Sequence, residues 1–493
     1  MLTHSGDKAR YTLTQIASIA MLEHGFQPEF APDALSELEH IQAGGPAQGI
    51  EKDLRELPWA SIDNDDSLDL DQLTVAQTLP GGSLKILVAV ADVDALVNRG
   101  SAIDSHARQN TVSVYTAAKT FPMLPDLLST NLTSLNYHQD RRATIVEIGI
   151  DDHGSMTGWD IYQGTVRNRA KLAYSSIGAW LEGNAPVPEA VQNVAGLSDN
   201  LRIQDRVAQA LRAQRHERGA LELMTMEARP LFSDGEILDL RLDEKNRAHE
   251  IIEDFMIAAN DVTARYLKSK KIPSLRRVVR SPRRWDRIVE IAAQHKWELP
   301  KAADPRALAA FLLAQKEADP LRFPDLSLTI IKLMGPGEYA VESPEDEPSG
   351  HFGLAVQNYT HSTAPNRRFP DLITQRILKA VLRGTEMPYS QDELIELARH
   401  CTEKEDDANK VERSVAKSAA AMLLSSKIGD RFDALCTGAA DKGTWVRILR
   451  PPVEGRLLYG YQGVDVGDRL TVRLIHVDVE KGYIDFDRVH TGR

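Results

Sequence analysis

The chain has 493 residues, 42% of them hydrophobic and 26% charged, with a formal net charge of −12. That length predicts more than one domain, and the composition is that of an ordinary globular protein, not a disordered or fibrous one. The charge excludes a surface coated in basic residues, although a basic channel can sit in an acidic body.

Cys401 and Cys436 are the only cysteines, so neither a disulfide framework nor a thiolate metal site is expected. No apolar run approaches the ~18 residues of a membrane span, and MLTHSGDKARYT does not read as a signal peptide. A cytoplasmic protein without a membrane partner is the expectation.

In chain order, residues 1–55 predict two short helices, LTQIASIAMLEHG and APDALSELEHI, followed by the loop QAGGPAQG. A helix-turn-helix or winged-helix module fits them, and so does a simple helical cap. Residues 56–425 mix strand patterns (SLKILVAVADV, TIVEIGIDDHG) with amphipathic helices (AHEIIEDFMIAANDVTARYL, DLITQRILKAVLRG, EDDANKVERSVAKSAAAMLLSSKIG). From 429 to 493 the texture changes to five short β runs, which predict a small barrel of OB-fold type. The fold class is α+β and multidomain: a helical N-terminal module, a large mixed domain and a C-terminal barrel.

The stretch SIDNDDSLDLDQL, residues 61–73, sets five aspartates within nine positions: Asp63, Asp65, Asp66, Asp69 and Asp71. Like charges this close are tolerated in water or around a shared cation. An EF-hand loop fits poorly, because Leu68 stands where glycine is needed and Thr74 where the bidentate glutamate is needed. A solvated acidic loop is the plainer alternative. Against it, leucines interleave with the acids. An extended backbone would set Asp69 and Asp71 on one face and leucines on the other, aiming hard oxygen donors suited to Mg²⁺ or Mn²⁺ at one point.

Residues 351–376, HFGLAVQNYTHSTAPNRRFPDLITQR, place Arg367 and Arg368 between two prolines just before a helix. A planar guanidinium holds two phosphate oxygens at once. For a single arginine, pairing with an acid such as Asp371 is the plainer reading. With the acidic cluster, the pair points to metal-assisted phosphoryl transfer.

Both stretches resemble signatures of the ribonuclease II family of processive 3′-to-5′ exoribonucleases. IDNDDSLDLDQ is similar to the opening motif of the family's RNB catalytic domain, and YTHSTAPNRRFPDL to its second motif, YTHFTSPIRRYPDL. VAVADVDALV, FPMLPDLLSTNLTSLN, AKLAYSSI, EIIEDFMIAAN and KKIPSLRRV match other segments, so the resemblance covers about residues 56–425. The barrel is similar to the family's terminal RNA-binding OB domain. By this resemblance Asp63, Asp69 and Asp71 hold Mg²⁺ or Mn²⁺ at the scissile phosphate, with Asp71 the most critical acid. Arg367 is implied at that phosphate with Arg368 beside it, Tyr115 on the 3′-terminal nucleotide, and Glu253 near it. The implied substrate is mainly single-stranded RNA, the product nucleoside 5′-monophosphates, and the protein a monomer.

Three departures stand out. Gln72 replaces the fourth motif acid; its amide oxygen is still a metal ligand, without the charge. Leu221 and Leu223 occupy the neighbourhood of a second aromatic clamp. About 55 helical residues stand where the family usually carries two cold-shock domains, which implies a wider entrance, entry into structured RNA, and an N-terminal module that contacts DNA or RNA. The basic run 268–287, KSKKIPSLRRVVRSPRRWDR, fits either phosphate tracking or a solvated loop. The alternative function, motivated by Gln72, is an RNB-fold RNA-binding or regulatory protein with weak or no activity.

Overall fold

The computed structural model describes residues 5–41, 51–79, 83–151, 153–224, 228–233, 236–242, 245–440 and 443–489, with side chains for all except 5–11, 228–233, 236–242 and 440. Nine strands fall in the first part of the large domain: β1 Lys52–Asp53, β2 Ala60–Asp63, β3 Gln72–Thr78, β4 Leu84–Ala91, β5 Val114–Tyr115, β6 Thr120–Phe121, β7 Asp140–Ile150, β8 Met156–Arg167 and β9 Ala170–Ala173. Seven of them form one sheet in the order β1-β8-β7-β4-β3-β2-β9. Neighbours run antiparallel except β1 on β8 and β9 on β2, which are parallel. β5 and β6 form a separate hairpin.

The sequence accounts for the centre of this sheet. In β4, LKILVAVA, seven of eight residues are buried, the near-continuous apolar run of a strand covered on both faces. Helices Leu197–Glu217 and Arg247–Ser269 lie against β3, β4, β7 and β8. Helix Phe369–Arg383 joins the same core through Leu372, Ile373 and Ile377. Behind its start, Lys379 pairs with Asp92 and Asp94 at 2.7 and 2.8 Å, and Arg376 with Asp94 and Asp104 at 3.1 and 2.8 Å. The loop that carries Arg367 and Arg368 is thereby fixed to the end of β4.

Three helices, Trp285–Gln294, Pro305–Ala318 and Phe323–Met334, build a satellite core around Phe311 and Trp285. The 34-residue helix Gln391–Leu424 starts well before residue 405, where the sequence reading placed it. Ser390 caps it, its Oγ accepting the Glu393 N–H at 3.2 Å; Ser-Gln-Asp-Glu was the start signal. Five strands from Arg431 to Arg488 close into a barrel. Ala420, Ala421 and Leu424 of the long helix plug its core.

The N-terminal helices, Ser5–Glu23 and Pro32–His40, pack on the large domain as a cap. Residues 5–41 contain no strand, so nothing described there builds a wing. β1 belongs to the large sheet, so that domain starts a few residues ahead of 56. Among the described residues no helix is long and apolar enough to cross a membrane.

Candidate active site

The acidic loop joins β2 to β3, and its backbone is pinned from the far side. Ser134 Oγ donates to Leu68 O at 2.8 Å and accepts from Leu70 N at 2.9 Å. Leu135 N donates to Leu70 O, and Ala91 N to Asp71 O, both at 2.9 Å. Leu70, 2% exposed, anchors the loop, whereas Leu68 is 60% exposed. The expected leucine face is therefore only half built. Asp65 and Asp66 point to solvent, Asp63 and Asp69 are half-buried, and Asp71 is buried.

The arginine loop closes onto these acids. Asn366 donates its backbone N–H to Asp71 Oδ1 at 3.1 Å, and Arg367 Nε lies 3.4 Å from Asp71 Oδ2. Gln72 donates its side-chain amide to Thr363 O at 2.5 Å, tying the two motifs together. Arg368 turns the other way and pairs with Asp371 at 2.7 Å, while Asp371 also accepts the Ala364 N–H at 2.8 Å. The pairing alternative thus describes Arg368, whose guanidinium is taken up by Asp371 while Arg367 faces Asp71. Ser113 N donates to Arg367 O at 3.0 Å, which brings in β5. From there Tyr115 OH donates to Asp69 Oδ2 at 3.3 Å, with Tyr115 44% exposed.

Burial dominates the electrostatics. It pushes the Asp71 carboxyl up to about 7 against the opposing pull of Arg367, and Asp69 adds to the rise. Asp69 is raised as well, by burial first, with Asp63 contributing. Burial also raises the Tyr115 hydroxyl, whose surroundings include Arg367, Asp69 and Asp71. The five groups therefore share one electrostatic environment. Asp71 Oδ2 is buried without a hydrogen-bond partner, a costly state for a carboxylate oxygen. A divalent cation would relieve it, and the hard oxygens of Asp69 and Asp71 suit one. Among the described residues no three His, Cys, Asp or Glu side chains are gathered as a ready-made metal site. Asp63 is the looser member: its Oδ1 accepts from Asn64 N at 2.7 Å and Ser67 Oγ at 2.9 Å.

Around this centre the sequence reading missed Asn366, Ser134 and a stacked pair, Tyr174 over His249 with centroids 3.9 Å apart. Burial raises the Tyr174 hydroxyl and Asp63 adds to it, which places the stack beside the acidic loop. Gly178 lets Asn246 approach so closely that any Cβ would collide with it. Asn246 caps the helix that carries His249 and, one turn on, Glu253. Burial opposes Glu253 ionisation, but Lys245, 2.9 Å away, and Arg212 and Arg215 outweigh it and lower its pKa.

Leu221 and Leu223 pack onto the satellite core and supply no clamp. In the basic run, Arg276 pairs with Glu342, Arg277 with Glu405 and Arg280 with Glu338. Trp285 is buried. Much of that run is structural.

A mixed sheet, an acid loop closed by an arginine loop and a terminal five-stranded barrel define an RNB-type protein. The chain belongs to that family: it matches the RNB domain over residues 51–384 and the RNase II-type exonuclease C-terminal S1 domain over residues 430–489. It is 29% identical to Ribonuclease R of Escherichia coli over 476 residues, spanning 90% of this chain and 58% of that protein. It is also 29% identical to Ribonuclease R of Aquifex aeolicus, spanning 96% of this chain and 70% of that one. The chain thus spans less than two thirds of the E. coli relative. The structure of Mycoplasma genitalium RNase R in complex with ribose-methylated single-stranded RNA shares the fold, with a TM-score of 0.85 and 23% identity over 97% of this chain and 78% of that one. Yeast Ssd1, described as a pseudonuclease, shares it with a TM-score of 0.70 and 16% identity, over 96% of this chain and 59% of that one.

Proposed function

We propose that this protein is a divalent-metal-dependent 3′-to-5′ exoribonuclease of the cytoplasm, acting as a monomer on single-stranded RNA and releasing nucleoside 5′-monophosphates. The observation that carries the reading is the buried Oδ2 of Asp71, which has no hydrogen bond and faces Arg367 at 3.4 Å. A carboxylate placed at such cost fits a group that works when cation and phosphate arrive.

Asp69 and Asp71, with Asp63 at the loop's edge, would hold Mg²⁺ or Mn²⁺, which supplies Lewis-acid stabilisation of phosphoryl charge and activates water. Gln72 uses its amide N–H₂ on Thr363, leaving its oxygen as the donor it offers. Arg367 then lends its guanidinium to the non-bridging oxygens, where charge grows in the transition state. The Tyr115 ring, held by its hydroxyl on Asp69, offers an exposed face to the terminal base. Glu253 sits on the helix that carries His249 and is the acid read near the terminal nucleotide. Arg368 positions the loop through Asp371.

The second reading, an inactive RNA-binding protein, draws on Gln72 and on the absence, among the described residues, of a ready-made three-acid cluster. Asp71→Asn separates the two. The enzyme reading expects cleavage to vanish while RNA affinity stays within about threefold, because binding is spread along the strand. Substantial turnover by the variant in saturating Mg²⁺ would refute the assignment.

A further inference from the structure

β5 is only two residues long, and its two side chains go opposite ways, as successive strand residues must. Tyr115 faces Asp69 and solvent. Val114 is fully buried, in an apolar cluster that the N-terminal module shares with the hairpin and the long helix. Leu13, Ala17, Ala20, Met21 and Phe26 form one apolar cluster with Val114, Ala118 and Phe121 of the β5–β6 hairpin and with Val411 and Val415 of the long helix. Polar ties hold the module against helix Ala102–Asn110, the long helix and the hairpin. Gln27 N donates to Asn110 Oδ1 at 2.9 Å, and Asn110 Nδ2 returns a bond to Gln27 O at 2.8 Å. Lys404 Nζ caps the end of the first helix through His24 O and Gly25 O at 3.2 and 2.5 Å. Lys119 of the hairpin pairs with Glu29 at 3.3 Å. Glu412 accepts the Tyr115 backbone N–H at 2.8 Å.

The module's charge does not suit nucleic acid. Residues 1–41 hold Lys8 and Arg10 against six acids: Asp7, Glu23, Glu29, Asp33, Glu37 and Glu39. Phosphate binding needs the opposite balance.

We propose that the N-terminal helical module is a positioning element for Tyr115, setting from behind the ring that stacks on the 3′-terminal base. This rests on the reading of Tyr115 as the stacking residue. The module supplies no contact to RNA. A displacement of the ring far smaller than its own size would already misplace the last phosphodiester relative to Asp71 and Arg367.

The test uses the full chain and an RNA ending in 2-aminopurine, bound in EDTA so that the RNA is not consumed. Stacking on Tyr115 quenches the probe, and Tyr115→Ala is expected to abolish that quench. Met21→Ala is expected to lose most of the quench and to lower kcat in Mg²⁺ by about tenfold, while affinity for a long RNA changes by less than about twofold. Met21→Leu, which keeps the volume, should restore both. Met21→Val, a smaller truncation, should show the same direction if Met21→Ala folds poorly. In the Tyr115→Ala background Met21→Ala should add nothing, because both act through one ring. A preserved quench in Met21→Ala, additive effects, or a loss of long-RNA affinity larger than the loss of kcat would overturn the proposal. A quench that survives Tyr115→Ala would instead overturn the stacking reading itself, and the proposal with it.

Discussion

Lys379→Met probes the ionic network that seats the arginine loop. The Lys379 ammonium lies 2.7 Å from Asp92 Oδ1 and 2.8 Å from Asp94 Oδ2. Its side chain is 4% exposed and that of Asp92 is 1%. Methionine fills much the same volume, so the loss is electrostatic. Asp94 keeps Arg376 at 3.1 Å, but among the described residues the Asp92 side chain retains only the Gln163 amide at 3.2 Å. Stranding one buried carboxylate costs about 3–5 kcal/mol. Because helix Phe369–Arg383 begins just after Arg367, kcat should fall as well. Urea unfolding followed by tryptophan fluorescence reads the stability. Adding Asp92→Asn should recover most of the loss, since a neutral pair leaves no uncompensated charge. A single-variant loss under about 1 kcal/mol, the range of exposed pairs, would refute the reasoning, as would a double variant no better than the single.

Gln72→Asp should lower the Mg²⁺ concentration giving half-maximal rate, because hard cations are held largely by carboxylate charge; an unchanged dependence would leave Gln72 as the tie to Thr363 alone. Burial holds His106 at a lowered pKa of about 4, with its Nε2 facing the Asn110 amide at 3.1 Å. The unfolded chain therefore takes up that proton first, and stability should fall by about 3 kcal/mol as pH drops from 6.5 towards 4. His106→Asn should flatten that part of the melting profile, and an equal slope in both proteins would contradict it. A hairpin with a short 3′ overhang should be degraded into its stem, since the described N-terminal helices pack behind the Tyr115 hairpin rather than over its exposed ring; products that always end several nucleotides before the stem would exclude an open entrance.

Some of this was legible in the sequence for physical reasons. The barrel strands announce themselves by short alternating runs, and β4 by an unbroken apolar one. The acids and the arginine pair stood out because clustered charge is costly and needs a purpose. Which arginine faces Asp71 was not legible: Arg367 and Arg368 are neighbours in the chain, and only the turn before Phe369 sends one to Asp71 and the other to Asp371. The path of the loop through Leu68 and Leu70 likewise depends on Ser134, more than sixty positions away. The basic flank of the satellite helices fitted either phosphate tracking or a solvated loop in the sequence, and neither reading shows that Arg276, Arg277 and Arg280 are taken up in ion pairs with distant acids. Helical periodicity located the N-terminal module but could not say what its apolar face covers.

The central claim is hydrolysis from the 3′ end at the site of Asp71 and Arg367. Single-stranded RNA labelled at its 5′ end, incubated with the protein and Mg²⁺ or Mn²⁺ and resolved on a denaturing gel, tests it most directly. The account predicts label in progressively shorter products with nucleoside 5′-monophosphates released alongside, and no shortening with Asp71→Asn. Intact RNA under either ion, or label appearing at once in mononucleotides as from the opposite polarity, would contradict it.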